Sequence, residues 1–167
     1  MNRRDAIKAA GLIAGGALFA SNGILEACLP GRGSSDRVLS DDDQALAEEI
    51  ADTLLPTTAG SPGAKAAGAG AAMNLIVSDC YKPADQRAVS AALERFRAEN
   101  FLERSRAERE TFVRTVGKEP WFAPVRDLAL GAYFSSEIGM TKALRYVRIP
   151  GKYVGCMPLA PGQPAWG

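Results

Sequence analysis

The chain has 167 residues, 47% of them hydrophobic and 23% charged, with 20 Lys and Arg against 19 Asp and Glu and no histidine. The near-neutral total shows no electrostatic footprint for nucleic acid or anionic lipid. The missing imidazole removes the commonest general base, the commonest metal ligand and every catalytic triad built on it. Three cysteines, Cys28, Cys80 and Cys156, form no CxxC or CxxCH, so neither a zinc site nor c-type haem attachment is supported. This length accommodates one globular domain plus an appendage, and no run of eighteen apolar residues provides a membrane span.

The chain opens MNRRDAIKAAGLIAGGALFA. Arg3, Arg4 and Lys8 precede an apolar run from Ala9 to Ala20 that Gly11, Gly15 and Gly16 dilute, which suits a paired-arginine export signal. Asp5 falls in the variable position of the twin-arginine consensus, and Ala6 replaces the usual large apolar residue. An amphipathic first helix of a cytosolic domain is the competing reading, but Ala9–Ala20 has no polar face at helical period. Residues 1–27 are therefore read as an export signal, which makes the twin-arginine translocase a partner and the periplasm the destination. Leu25-Glu26-Ala27-Cys28 resembles a lipobox, with Glu26 departing from the pattern. Two readings stay open: Cys28 is lipidated and anchors the chain, or it is a plain cysteine of an exported protein. If Cys28 carries lipid, Cys80 and Cys156 are left as an even pair in an oxidising compartment and are expected to form a disulfide. The alternative is two buried thiols packed as small apolar residues.

Residues 28–39 form a Gly/Ser linker, and 40–167 form the domain. Ser40 caps a helix whose first turn holds Asp41, Asp42 and Asp43, favourable at the positive end of the dipole. Leu46, Ile50 and Leu54 make its apolar stripe, and Pro56 ends it. The small residues of Thr57–Ala72 permit close backbone approach. Their partial GxGxxG lacks the third glycine and a preceding strand, so no dinucleotide site is expected. A helix is expected through Met73, Leu75, Ile76 and Val77 to Cys80. Another opens at Pro83 and carries Val89, Leu93 and Phe96, with Phe101 as a further candidate for its apolar face. Ser105 and Glu108 have capping-box spacing, with Gly117 as the stop, and a last helix is expected from near Glu119-Pro120 through Tyr133. The fold expected is all-α, a small bundle of about four to six helices, with an extended tail over 147–167.

The tail begins in GAYFSSEIGMTKALRYVRIPGKYVGCMPL, where Pro150, Gly151 and Pro158 forbid helix. Together with the preceding PVRDLAL, this stretch resembles the C-terminal signature of the gluconate 2-dehydrogenase subunit 3 family. The likeness lies in the aromatic pair before S-E-I-G, then L-R-Y, P-G-K-Y and G-C-M-P-L. ADTLLPTT, PGAKAAGAG and SDCYKPAD resemble its first half. The resemblance implies a small helical subunit that accompanies a large flavoprotein dehydrogenase of the glucose–methanol–choline type acting on a sugar or sugar acid. It further implies FAD in that partner, a membrane-bound multihaem cytochrome c as electron acceptor, and an export signal that serves both subunits. No cofactor is expected in this chain. A free-standing periplasmic lipoprotein or binding module is the alternative.

Individual residues of the signature have expected roles. Glu137 is a lone acid without base, nucleophile or metal partner, so it is read as a structural acceptor at the bend near Gly139, or as a partner of Arg145 or of an arginine on another subunit. Tyrosine and arginine commonly anchor interfaces, so Arg145, Tyr146, Arg148 and Tyr153 are read as the partner-binding set, and Tyr133 as core. No catalytic or metal residues are expected.

Overall fold

The computed structural model describes residues 37–149, 151–152, 155–156, 158 and 160–166. The expected export signal with Arg3 and Arg4, the expected lipidation site Cys28 and the expected interface residue Tyr153 lie outside the described residues. Within them the fold is all-α: five α-helices, one 3-10 turn and one π-helical turn.

Two of the five helices start at a serine cap, and the other three start without a capping side chain. The first, α1 (Asp41–Leu54), begins at Ser40, whose hydroxyl accepts from the Asp43 amide at 3.1 Å, with the three aspartates in the first turn. It buries Leu46, Ala47, Ile50 and Ala51 and stops before Pro56. A turn pairing Thr58 with Ser61 leads to Gly68, which at φ +66° starts α2 (Ala69–Cys80) from a left-handed conformation. Gly70 lies against α1: a Cβ there would stand 2.7 Å from the Glu48 Cβ and 3.0 Å from the Gln44 carbonyl oxygen. This is the close approach that the small-residue stretch implied.

Pro83 occupies the first turn of α3 (Pro83–Ala98), where a missing N–H costs nothing. Asn100, at φ +49°, reverses the chain into the 3-10 turn Phe101–Glu103, and so puts Phe101 in the core. The helix α4 (Arg106–Val116) opens on the expected capping pair, with the Ser105 amide donating to the Glu108 carboxylate at 2.8 Å. Its last residue precedes Gly117, whose backbone stays right-handed, so the stop is not the left-handed glycine cap that the sequence implied. The following helix, α5 (Ala123–Phe134), starts later than expected. Glu119–Phe122 close a turn instead, the Phe122 amide donating to the Glu119 carbonyl at 3.0 Å, and Pro124 lies in the first turn of α5.

The helix α5 packs against α1, α2 and α3, while α4 lies on α1. Phe96 centres the aromatic part of the core, with ring centroids of Phe101, Phe112, Trp121 and Phe122 at 5.0, 5.5, 5.6 and 5.5 Å. Three of these pairs meet edge to face, the arrangement that the ring quadrupoles favour.

Asn74 is the one buried polar side chain among the described residues, 1% exposed. Its carboxamide pairs with both backbone groups of Leu39, accepting from the amide at 3.2 Å and donating to the carbonyl at 3.0 Å. It also donates to Gln44 Oε1 at 3.0 Å. The amide therefore takes the part of a neighbouring strand and fastens the segment entering α1 onto α2.

Candidate docking surface

The surface singled out in the sequence is built outward from the end of α5. Tyr133 is core, 3% exposed, and its hydroxyl donates to the Pro62 carbonyl at 2.7 Å and shares a 2.6 Å hydrogen bond with Ser61. The end of α5 is thereby tied to the loop between α1 and α2. A π-helical turn, Gly139–Ala143, follows, closed by the Leu144 amide donating to the Gly139 carbonyl at 3.0 Å. Gly139 is buried against Tyr133, and Ser136 holds it there: the Ser136 hydroxyl donates to the Tyr133 carbonyl at 2.6 Å and accepts from the Gly139 amide at 3.0 Å.

Glu137 was expected to hold this bend, to pair with Arg145 or to pair with an arginine of another subunit, and among the described residues it does neither of the first two. Its side chain is exposed and makes no hydrogen bond or ion pair there, and Ser136 does the holding. Arg145 is committed elsewhere. Its amide donates to the Ala165 carbonyl at 2.7 Å, its backbone bridges Trp166 in parallel, and its guanidinium lies 4.3 Å from the Trp166 ring centroid. Beyond this closure Tyr146 (48% exposed), Val147, Arg148 and Ile149 (82% exposed) face solvent. Arg145, Tyr146 and Arg148 are neighbours in the sequence, and of the three Arg145 has its guanidinium on Trp166.

The expected disulfide does not form. Cys80 and Cys156 are both exposed free thiols, so they are not the buried pair of the alternative reading either. Cys80 is the last residue of α2, on its solvent side, and Cys156 lies in the exposed tail.

Among the described residues no group of three or more Cys, Asp and Glu converges as a metal site. A groove of about 330 Å³ beside the tail is lined by Leu54, Pro56, Ser61, Tyr133, Phe134 and Leu144, a mainly apolar set. The most connected charged group serves the fold: Glu49 pairs with Lys65 and, at 2.8 Å, with Arg109, which also donates to the Phe101 carbonyl at 3.1 Å. The Lys65 hydrogen bond, with the charges of Lys65 and Arg109, holds the Glu49 carboxyl below its usual value against the opposing effect of burial. Among the described residues no helix is long and apolar enough to cross a membrane.

The family model described as gluconate 2-dehydrogenase subunit 3 matches residues 41–151, a span running from the first residue of α1 past the exposed segment after Arg145. The chain belongs to the gluconate 2-dehydrogenase subunit 3 family. Neither a curated protein nor a solved structure matches it. In this member of the family Tyr133, Ser136 and Gly139 build the bend, and Tyr146, Arg148 and Ile149 are exposed in the segment that follows it.

Sequence reasoning missed the Asn74 clamp, the Tyr133–Ser61 tie and the partnership of Arg145 with Trp166. A lone asparagine in an apolar helical run was the available signal for the first. The other two join residues 72 and 21 positions apart, and no local pattern announces them.

Proposed function

We propose that this chain is the exported, non-catalytic small subunit of a dehydrogenase complex. It escorts and stabilises a large flavoprotein of the glucose–methanol–choline type that oxidises a sugar or sugar acid. The observation that carries this reading is the family match over residues 41–151. Its name describes a subunit of gluconate 2-dehydrogenase, and the chemistry of this chain fits a supporting part better than a catalytic one. The sequence has no histidine, and the exposed Glu137 side chain makes no hydrogen bond or ion pair among the described residues. Substrate oxidation and FAD belong to the partner in this reading, with a multihaem cytochrome c receiving the electrons.

The N-terminus supplies the route. Arg3 and Arg4 direct the chain through the twin-arginine translocase, which carries folded cargo, and the flavoprotein travels with it to the periplasm. Cys28 or the complex itself then holds the assembly at the membrane. Replacing Arg3 and Arg4 with lysine tests this directly. The dehydrogenase activity is expected to stay in the cytoplasmic fraction of the double variant, and normal periplasmic activity would overturn the escort role.

A further inference from the structure

The neutral total charge conceals a segregation along the chain. Between Arg37 and Glu137 there are 16 acidic and 12 basic residues, whereas no Asp or Glu follows Glu137. The basic residues of that last stretch are Lys142, Arg145, Arg148 and Lys152, all exposed. An acid-free basic segment therefore projects from an acidic body, and it carries Tyr146, Val147 and Ile149 in the open. It is also held at its base, because the Arg145 amide donates to the Ala165 carbonyl at 2.7 Å and the Arg145 guanidinium stacks on Trp166. Closing the chain on itself in this way restricts the segment before any partner arrives, which lowers the ordering cost of binding.

The backbone narrows the kind of partner. Tyr146–Ile149 are exposed, and any of their N–H and C=O groups that lose water on docking need replacement partners. A protein surface offers them, whereas the hydrocarbon of a membrane does not. Exposed basic residues that alternate along the sequence with exposed apolar ones call for a complementary surface, apolar at its centre and acidic at its rim.

We propose that the segment Arg145–Ile149, closed at its base by Trp166, is the docking element for the flavoprotein subunit, and that it meets there an acidic rim around an apolar recess that takes Tyr146 and Ile149. This rests on the accessory-subunit reading above. Arg148 and Lys152 steer and orient the encounter, and Ile149 supplies apolar area that is lost from water.

The test is the dissociation constant between the full chain and the separately purified flavoprotein subunit, measured at about 50 mM and about 500 mM salt, where screening differs severalfold. Arg148→Glu with Lys152→Glu is expected to weaken binding about tenfold or more at the lower salt and to abolish most of the salt dependence. Ile149→Ala is expected to weaken it at both salts. Both changes lie on exposed residues, so unchanged circular dichroism is expected to accompany them. Arg87→Glu with Lys118→Glu makes the same change of charge on the exposed body, and should shift the constant less than about twofold. Equal loss from the two double reversals, or no loss from the first, overturns the docking element while leaving the accessory role intact. Loop-dependent binding to phosphatidylglycerol vesicles together with unaltered complex formation also overturns it, in favour of a membrane contact. Failure of the unaltered chain to bind the flavoprotein removes both readings.

Discussion

The Tyr133 carbonyl oxygen occupies the place from which a side chain at position 139 would grow: a Cβ on Gly139 would stand 2.0 Å from it. The contact is with backbone at the end of α5, so the neighbour has no rotamer by which to move aside. Gly139→Ala is therefore expected to force the π-helical turn away from α5. The cost is about 1–3 kcal/mol, read as a lower midpoint in urea unfolding. Gly131→Ala, on an exposed face of α5 where a Cβ would meet nothing within 4 Å, serves as the contrast and should stabilise by up to about 1 kcal/mol.

Asn74 offers a second test, because its amide both donates to and accepts from Leu39. Asn74→Leu keeps the side-chain volume close but leaves two buried backbone groups without partners. A loss of about 2–4 kcal/mol is expected. Asn74→Asp retains an acceptor for the Leu39 amide but cannot donate to its carbonyl or to Gln44, so it too should destabilise. Faster proteolysis after the exposed Arg37 should accompany both variants, because Leu39, which Asn74 holds, lies two residues on.

The ion pairs of Glu49 give a pH dependence with a definite sign. Its folded value is lowered from 4.5, so the folded state binds fewer protons than the unfolded state through the window below that value. The contribution is fully present above about pH 4.5 and is lost as pH falls through the lowered folded value. Glu49→Gln should reduce stability near pH 7 by about 1 kcal/mol, since the group is partly exposed and screened. The difference from the unaltered chain should shrink as unfolding curves are taken from pH 6 towards pH 3.

Those three sites show how unevenly the structure was legible in the sequence. Local chemistry was readable. Ser40 and Ser105 cap helices because a hydroxyl or carboxylate three residues away can reach the free amides, and Pro83 starts α3 because its missing N–H is harmless there. Apolar spacing likewise gave Leu46 and Ile50 on one face of α1 and Val89, Leu93 and Phe96 on one face of α3. Distant pairings were not readable. Nothing near Arg145 points to Trp166, and the only acid nearby, Glu137, drew attention to a pairing that is not made. The small residues around Gly70 signalled a close approach without naming α1 as the neighbour. The bend at Gly139 was visible as a glycine, but its reason lies in a carbonyl six residues earlier that only the folded chain brings against it.

The flavin content of the purified full chain tests the central claim most directly. Expressed with its dehydrogenase partner and isolated through a tag on this chain, it is predicted to bring down a flavoprotein with visible flavin absorbance. After the subunits are separated, all of that absorbance is predicted to follow the large subunit, and this chain alone is predicted to show neither flavin nor dehydrogenase activity. Purification without any flavoprotein, or flavin retained in stoichiometric amount by this chain alone, would contradict the account.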